Sequence, residues 1–445
     1  MRKTSFNILN FVGFKQIGNW SVSHILGQRI GFNRRYSSQP IGSFVKRSST
    51  TIIVQNDKQY KQVTLKTKGC GAVLRDIKNG KDIGTKKQFV VSEGQFIMSK
   101  IDARNGAFGV VPKELDGAIV TADFPVFDVE ADIINPEYFA LISSTNVFAR
   151  FAQSCSRGTT NRQRIDINLF LSQQIPTPTL NEQQALVNAY KEKIQLSQEL
   201  ERQASQKEKE IEEYLLGELN VSIKKAKLHK GLNLIRFKDV ERWDCYNGGY
   251  SIATSLKQSP YPIVEIGKVF DFTQRRWDKK EKLFNYVEIG AVDPLKGIMY
   301  TEEIQTTKAP SRATQTIKTG DLIVGTTRPY LKKFAIVGRA FENCVCSSGF
   351  QIIAPKDEYN LSYLYEYLKS SVAIAQFELF MSGALYPAIT VKDLKKILIP
   401  LPPVEVQNSI VDHIDKQKEQ MKQMKQQAEE LRKKALEEFE KKIFE

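Results

Sequence analysis

Four short segments of the 445-residue chain, which form three candidates, combine cations with amide, hydroxyl or aromatic side chains, a mixture suited to contacts with nucleic acid. Arginine can hold guanine through two hydrogen bonds and asparagine can do the same for adenine, while serine and threonine suit phosphates or base edges. The first segment, residues 154–164, carries three arginines. Its expected DNA-binding residues are Arg157, Thr160, Asn161, Arg162 and Arg164. An ordinary surface loop is the alternative for any one of them.

The second candidate is a pair of loops, residues 99–105 and 325–332, each of which follows a strand-like segment. The later loop offers a hydroxyl, an aromatic ring and two cations within six residues, which suits a duplex backbone or base edges. The expected contacts of the two loops are Lys100, Arg104, Asn105, Thr327, Arg328, Tyr330 and Lys332.

The third candidate, residues 274–280, is the densest basic cluster and has an aromatic residue in its middle. Clusters of this kind are often simply solvated, and phosphate contact is the alternative that we favour. Its expected contacts are Arg275, Arg276 and Trp277, and Tyr386 and Lys392 are the analogous expectation near the end of the chain.

No catalytic, cofactor-binding or metal-binding residue is predicted. The string Asn135-Pro-Glu-Tyr-Phe139 resembles the Asn-Pro-Pro-Tyr/Phe signature of adenine methyltransferases, but no glycine-rich cofactor turn precedes it. A related string at Asn360 has lost the proline and kept a helical pattern, which favours a helix start. Walker loops, nuclease-like carboxylate clusters and His-rich zinc motifs are not recognisable. Cys344-Val-Cys346 could clip a metal, although buried or incidental thiols are favoured.

The net charge of +15 invites a polyanionic partner, and its distribution is uneven. Residues 179–220 hold five basic and nine acidic side chains, and residues 404–445 hold nine and ten, so the excess lies elsewhere. No signal peptide and no apolar run of about 18 residues is recognisable, so we expect a cytoplasmic protein without a membrane partner.

The chain repeats itself. Residues 175–183 and 399–407, each opening with an Ile-Pro-x-Pro string, align without a gap at an offset of 224 residues. Residues 60–65 and 284–289 have the same offset and the alternation of a half-buried strand. Two copies of one unit of about 220 residues are therefore predicted, each an α/β (α+β) globular segment followed by a long charged helix.

The two long helices carry apolar residues at alternating steps of three and four. The stripe is clear in Ile410, Ile414, Met421 and Ala428 and weaker in the first copy. We expect the helices to pair as an antiparallel coiled coil with pseudo-two-fold symmetry; the alternative is that each packs only on its own globular segment. About 38 helical residues would span roughly 57 Å, more than one turn of duplex.

The duplicated Ile-Pro-x-Pro entry into a helix at Gln183 and Gln407, the Gly-Asp-Leu-Ile strand at 320–323, and the string at 382–390 resemble Type I restriction-modification specificity subunits. The resemblance implies two target recognition domains, each reading half of a bipartite double-stranded DNA site, with helices that set the spacer. It also implies two docked methyltransferase subunits and further restriction/translocase subunits, which would bind S-adenosylmethionine, ATP and Mg. The first copy departs from the pattern at 158–164, where the second has 382–386.

The expected boundaries are 1–178 for the first recognition domain, with 1–16 as an arm, 179–220 for the central helix, 221–402 for the second domain and 403–445 for the distal helix. Two alternatives of function stay open at this point. One is an endonuclease or methyltransferase with an unrecognised catalytic part. The other is a basic scaffold that binds RNA or acidic proteins.

Overall fold

The computed structural model describes residues 33, 35–67, 71–149, 156–157, 164–222, 255–383 and 385–445. The predictions for residues 1–16, Thr160, Asn161 and Arg162 lie outside this range, as do the side chains of Arg104 and Arg157. The chain divides into two compact units. Unit 1 comprises Met1–Glu201 and Gln426–Glu445, and unit 2 comprises Arg202–Lys425.

Among the described residues, the globular part of unit 1 contains two larger sheets and two sheets of two strands. A four-stranded sheet has the order β2-β10-β7-β8, and a five-stranded sheet has the order β3-β6-β9-β4-β5. The strands of unit 1 are β1 Ser38–Pro40, β2 Val45–Arg47, β3 Thr51–Ile53, β4 Gln59–Leu65, β5 Ala72–Asn79, β6 Lys87–Val90, β7 Phe96–Met98, β8 Phe108–Val110, β9 Ile119–Val120, β10 Val126–Val129, β11 Ser156–Arg157, β12 Arg164–Ile165 and β13 Gln174–Pro176. Two of its helices are α1 Pro136–Ser143 and α2 Ile167–Ser172.

Unit 2 repeats this plan with sheets of order β15-β24-β21-β22 and β19-β16-β23-β20. Its strands are β14 Ile263–Glu265, β15 Asp271–Thr273, β16 Leu283–Val287, β17 Val292–Asp293, β18 Gly297–Ile298, β19 Glu302–Gln305, β20 Ala313–Thr316, β21 Leu322–Gly325, β22 Phe334–Ile336, β23 Val345–Ser347, β24 Phe350–Ala354 and β25 Leu398–Pro400. Its shorter helices are α4 Ile266–Val269, α5 Leu361–Leu368, α6 Ser371–Phe380 and α7 Val391–Leu394.

The strand pairing follows the repeat in detail. In unit 1, β4 pairs antiparallel with β5 and parallel with β9. In unit 2, β16 pairs antiparallel with β19 and parallel with β23. The central strands β7 and β21 are buried along their whole length, which explains their continuous apolar sequences. The predicted sequence repeat is therefore a repeat of mixed α/β fold.

A polar network fixes the start of each long helix. The backbone N–H of Asn135 donates to Oε1 of Gln183 (2.7 Å), and that of Asn360 donates to Oε1 of Gln407 (3.0 Å). Each glutamine amide also donates to the second proline carbonyl of its Ile-Pro-x-Pro string, Pro178 or Pro402, at 2.8 Å. Both glutamines are buried, so the network pairs groups that would otherwise be costly to bury.

The predicted helix start at Asn135 is present. Its side chain accepts hydrogen bonds from the backbone N–H groups of Glu137 and Tyr138, and proline occupies the first turn of α1. Asn360 caps α5 in the same way. The likeness of the Asn135 string to a methyltransferase signature is therefore accounted for by helix capping.

The long helices, α3 Leu180–Glu218 and α8 Val404–Phe444, each contribute to both units. In unit 1, Lys193 pairs with Glu438 (2.5 Å) and Arg432 with Glu201 (2.6 Å), so the two segments run in opposite directions. The hydroxyl of buried Ser197 donates to the carbonyl of Ala428 (2.8 Å), which brings the backbones close.

In unit 2 the remaining parts of the helices also lie side by side. Nζ of Lys207 donates to Oε1 of Gln417 (2.6 Å), and the ring of Tyr214 stacks on His413 with centroids 4.0 Å apart. The predicted stripe residues Ile410, Ile414, Met421 and Ala428 are buried, and so are Val187, Ser197 and Ala204 of α3 and Ala435 of α8. No described helix has the length and apolarity needed to cross a bilayer.

The last turns of each helix pack on the globular part of the other copy, a detail absent from the sequence expectation. Phe439 and Ile443 of α8 belong to the core of unit 1. Leu215 and Leu219 of α3 belong to the core of unit 2. The helices therefore contact each other and both globular parts, which goes beyond the alternative of packing only on their own copy.

Candidate nucleic-acid interface

In unit 1, the loop after β7 lies beside the strand that follows the arginine-rich segment. The carbonyl of Lys100 accepts a hydrogen bond from the backbone N–H of Ile165 (3.0 Å). The backbone register of β11 and β12 pairs Arg157 with Arg164. Arg164 is exposed and forms an ion pair with Asp123 (3.1 Å). Two segments singled out separately in the sequence are thus adjacent in the fold.

The other predicted residues of this loop have local roles. Asn105 is exposed, and its Nδ2 donates to Oδ1 of Asp102 (3.4 Å). Lys100 is half-buried, and its backbone N–H donates to the carbonyl of Asp123 (2.9 Å). The loop turns through Gly106, whose φ of +75° falls in the left-handed region that glycine adopts readily.

Unit 2 has the same arrangement. The carbonyl of Thr326 accepts a hydrogen bond from the backbone N–H of Ile389 (2.9 Å), and the backbone N–H of Arg328 donates to the carbonyl of Pro387 (2.7 Å). Between them, Thr327 forms an antiparallel β-bridge with Ala388. The loop after β21 and the loop before α7 therefore form one surface. We call residues 326–332, 382–383 and 385–388 together the unit 2 loop pair.

Arg328 joins the two loops of this pair. Its Nη2 donates to the carbonyl of Leu385 (2.9 Å), and its guanidinium lies 4.7 Å from the ring centroid of Tyr386. Its backbone φ is +50°, a conformation that costs energy for a residue with a side chain. Its Nε is buried without a hydrogen-bond partner among the described residues. The arginine is thus held in a strained position between two loops.

The neighbourhood of the unit 2 loop pair is strongly basic. Residues 326–333 and 381–396 carry six basic side chains and one acidic side chain, Asp393. Lys392 is exposed, so its ammonium group is accessible. Hydrogen bonds from Lys396 and then from Thr390 lower the pKa of the Asp393 carboxyl, which stays ionised but is already partnered. This surface suits a polyanion.

Tyr330 and Lys332, the other predicted residues of the loop 325–332, lie in different surroundings. Tyr330 is exposed at the surface. Lys332 lines a cleft of about 320 Å³ together with Glu366, Lys418 and residues of α3 such as Glu208 and Glu212. Lys332 thus stands among acidic side chains as well as basic ones.

Two residues of the basic cluster at 274–280 make contacts that stabilise the fold of unit 2. Trp277 is only 7% exposed and packs against Phe284 with centroids 4.2 Å apart, so its ring belongs to the core. The two terminal guanidinium nitrogens of Arg275, Nη1 and Nη2, donate to the buried carboxylate of Asp321, at 2.5 and 2.9 Å. Among the three residues predicted here, Arg276 has an exposed side chain.

Sequence reasoning missed Leu385, which is 80% exposed beside Tyr386. It also missed that Arg328 holds the loop containing both residues. The available signal was Gly383, two residues before Leu385, whose φ of +107° allows the loop to turn back sharply.

Residues 258–433 match the family model described as the Type I restriction modification DNA specificity domain. A search of curated proteins returns no match. A chain from a solved structure described as "Structural basis underlying complex assembly and conformational transition of the type I R-M system" is 19% identical, with a TM-score of 0.54, covering 93% of this chain and 97% of that one. This likeness shows a common fold over nearly the whole chain.

Two further solved structures are similar at lower scores. The HsdS subunit from Thermoanaerobacter tengcongensis is 17% identical with a TM-score of 0.43, covering 92% of this chain and 96% of that one. The Type I restriction-modification S subunit from M. genitalium is 13% identical with a TM-score of 0.42, covering 93% and 97%.

Proposed function

We propose that the chain is a specificity subunit of a Type I restriction-modification system, a non-catalytic DNA-recognition family, and that each unit reads one half of a bipartite DNA site. The proposal fits a chain whose two halves repeat one fold. Two similar DNA-binding units in one chain suit two separate half-sites on one duplex.

One observation carries the proposal: in both units the loop after the central strand, β7 or β21, is hydrogen-bonded to the equivalent isoleucine, Ile165 or Ile389. The hydrogen bond from Ile165 to Lys100 in unit 1 corresponds to the bond from Ile389 to Thr326 in unit 2. In both units these loops carry the cations and the hydrogen-bonding side chains that the sequence singles out. A repeated basic surface is what a two-part recognition of duplex DNA requires.

We assign the residues to two kinds of contact. Exposed cations, such as Arg164, Arg276 and Lys392, would meet phosphates or guanine edges. The loop residues Lys100, Arg104, Asn105, Arg157, Thr160, Asn161, Arg162, Thr327, Arg328, Tyr330, Lys332 and Tyr386 stay candidates for reading bases or the backbone. Arg275 and Trp277 are assigned to the fold of unit 2, because a buried carboxylate and an aromatic neighbour occupy them.

We further propose that α3 and α8 form an antiparallel coiled coil with pseudo-two-fold symmetry, which sets the spacer and docks two methyltransferase subunits. The proposed domains are 1–178 and 221–402, and the helical regions are 179–220 and 403–445. S-adenosylmethionine, ATP and Mg would bind to the methyltransferase and restriction/translocase partners. Because its proposed ligand is DNA, we propose that the complex works in the cytoplasm.

Selection from randomised duplexes tests this function. The full chain with its methyltransferase partner is expected to enrich two short conserved blocks separated by a gap of fixed length and free sequence. The chain alone, given DNA with S-adenosylmethionine or with ATP and Mg, is expected neither to methylate nor to cut. One continuous block, or robust catalysis by the chain alone, would contradict the proposal.

A further inference from the structure

Two consecutive large apolar residues are exposed between Ser382 and Ala388. Leu385 is 80% exposed and Tyr386 is 71% exposed. Exposed apolar side chains that adjoin each other on a folded surface mark a place of contact with a partner more often than isolated ones do. We call Leu385 and Tyr386 the apolar tip.

The backbone of the tip is held in place. Ser382 and Ala388 exchange two backbone hydrogen bonds, each 2.9 Å long, which close the loop at its base. A Cβ at Gly383 would lie 3.2 Å from the carbonyl oxygen of Tyr386, so the turn is tight as well as left-handed. Nη2 of Arg328 fastens the carbonyl of Leu385 (2.9 Å). Residues held by such hydrogen bonds lose less conformational entropy on binding.

The ring of Tyr386 is arranged for stacking. The Arg328 guanidinium lies over the ring at 4.7 Å, yet most of the side chain remains accessible. An aromatic ring braced by a cation on one side can accept a nucleobase on its free surface. Leu385, the preceding residue, adds a second exposed apolar side chain.

Charge identifies the occupant as a nucleic-acid duplex. The segments 326–333 and 381–396 hold six basic side chains, and the single acidic one, Asp393, is bound by Lys396 and Thr390. An apolar tip that lies in a basic part of the sequence and contacts Arg328 suits stacked bases flanked by phosphates. A purely apolar protein partner would leave these cations without counter-charges.

We infer that Leu385 and Tyr386 form a wedge that enters between two stacked base pairs of the half-site read by unit 2. Arg328 is the positioning residue for this wedge. The inference rests on the proposed function and adds a mode of reading to it. Unstacking is easiest at pyrimidine–purine steps, so the wedge would select a flexible step without a hydrogen bond to its bases.

The wedge is expected in one half-site only. Ile165 and Ile389 make the same hydrogen bond, and at their offset of 224 residues the positions of Leu385 and Tyr386 correspond to Asn161 and Arg162. Those side chains suit polar contacts with base edges. The two copies would thus read DNA by different physical means.

The test uses the full chain with its methyltransferase partner and the duplex obtained by selection. 2-Aminopurine is placed at successive positions of both half-sites, omitting the methylated adenine because a flipped base gives the same signal. The wild type is expected to raise the fluorescence at one step of the unit 2 half-site. The double variant Leu385→Ser/Tyr386→Ser is expected to lose that rise and to bind about tenfold more weakly.

Two further variants separate the wedge from general effects. Arg328→Ala is expected to lose the fluorescence rise although both tip residues remain. Lys392→Ala, the matched control, is expected to keep the rise, to bind all duplexes more weakly and to reduce the salt slope by about 1. Thermal unfolding of each variant checks that unit 2 stays folded.

Two results would overturn the wedge while leaving the proposed function intact. One is sequence-specific binding by the wild type without a fluorescence rise at any step of the unit 2 half-site. The other is a rise that persists in the double variant. Absence of sequence-specific binding by the wild type would overturn the proposed function and the wedge together.

Discussion

Replacing Phe96 by alanine is expected to lower the free energy of unfolding of unit 1 by about 3–5 kcal/mol. Phe96 is fully buried on the central strand β7. Its ring lies 4.2 Å from that of Phe139 and within 6.4 Å of Phe108, Phe127 and Phe170, measured between centroids. Removing the ring leaves a cavity among large rigid neighbours that collapse poorly. Chemical denaturation, monitored by hydrogen exchange of the backbone amides of β7 and β8, measures the decrease in the free energy of unfolding.

The loss of stability caused by Phe96→Ala is expected to weaken recognition of one half-site, the one read by unit 1. Leu322 is also fully buried and begins β21, the strand of unit 2 that corresponds to β7. Leu322→Ala is therefore the matched variant, with an expected cost of about 2–5 kcal/mol in unit 2. In selection from random duplexes, each variant should weaken a different conserved block. A cost under about 1 kcal/mol for Phe96→Ala would contradict the role given to this aromatic cluster.

Lengthening both long helices by one heptad is expected to lengthen the preferred spacer by about 3 base pairs. Seven helical residues add about 10.5 Å, and a duplex rises about 3.4 Å per base pair. The insertions belong between Glu201 and Arg202 and between Lys425 and Gln426, where the helices pass from one unit to the other. A heptad keeps the apolar stripe in register, so the helices can still pair.

An insertion of four residues at the same two places is the control for the heptad. It adds length but rotates the stripe out of register, and is expected to destabilise the helix pair instead of resetting the spacer. Methylation mapped by sequencing reports the spacer directly. An unchanged spacer, or altered half-site sequences with the heptad insertion, would show that the helices do not set the distance.

Local chemistry allowed the repeat to be predicted. Proline ends the strands before each long helix, asparagine caps α1 and α5, and the apolar stripe of α8 follows the heptad rule, so each of these features is written in neighbouring residues. The prediction of two α/β copies depended on such features occurring twice in the same order.

Contacts between distant residues could not be predicted in this way. Trp277 lies among charged residues in the sequence, yet Phe284 covers it, and Arg275 finds its carboxylate partner 46 residues later at Asp321. The docking of Phe439 on unit 1 joins the two ends of the chain. The exposure of Leu385 likewise depends on Arg328, which approaches from another loop. Short motifs carry no information about these partners.

The most direct test of the central claim is the exchange of residues 17–178 for the corresponding segment of another family member. Selection from randomised duplexes with the methyltransferase partner would then compare the two sites. We predict that one conserved block changes, while the other block and the spacer stay as they were. A change in both blocks, or in neither, would contradict a chain in which each half reads its own part of the site.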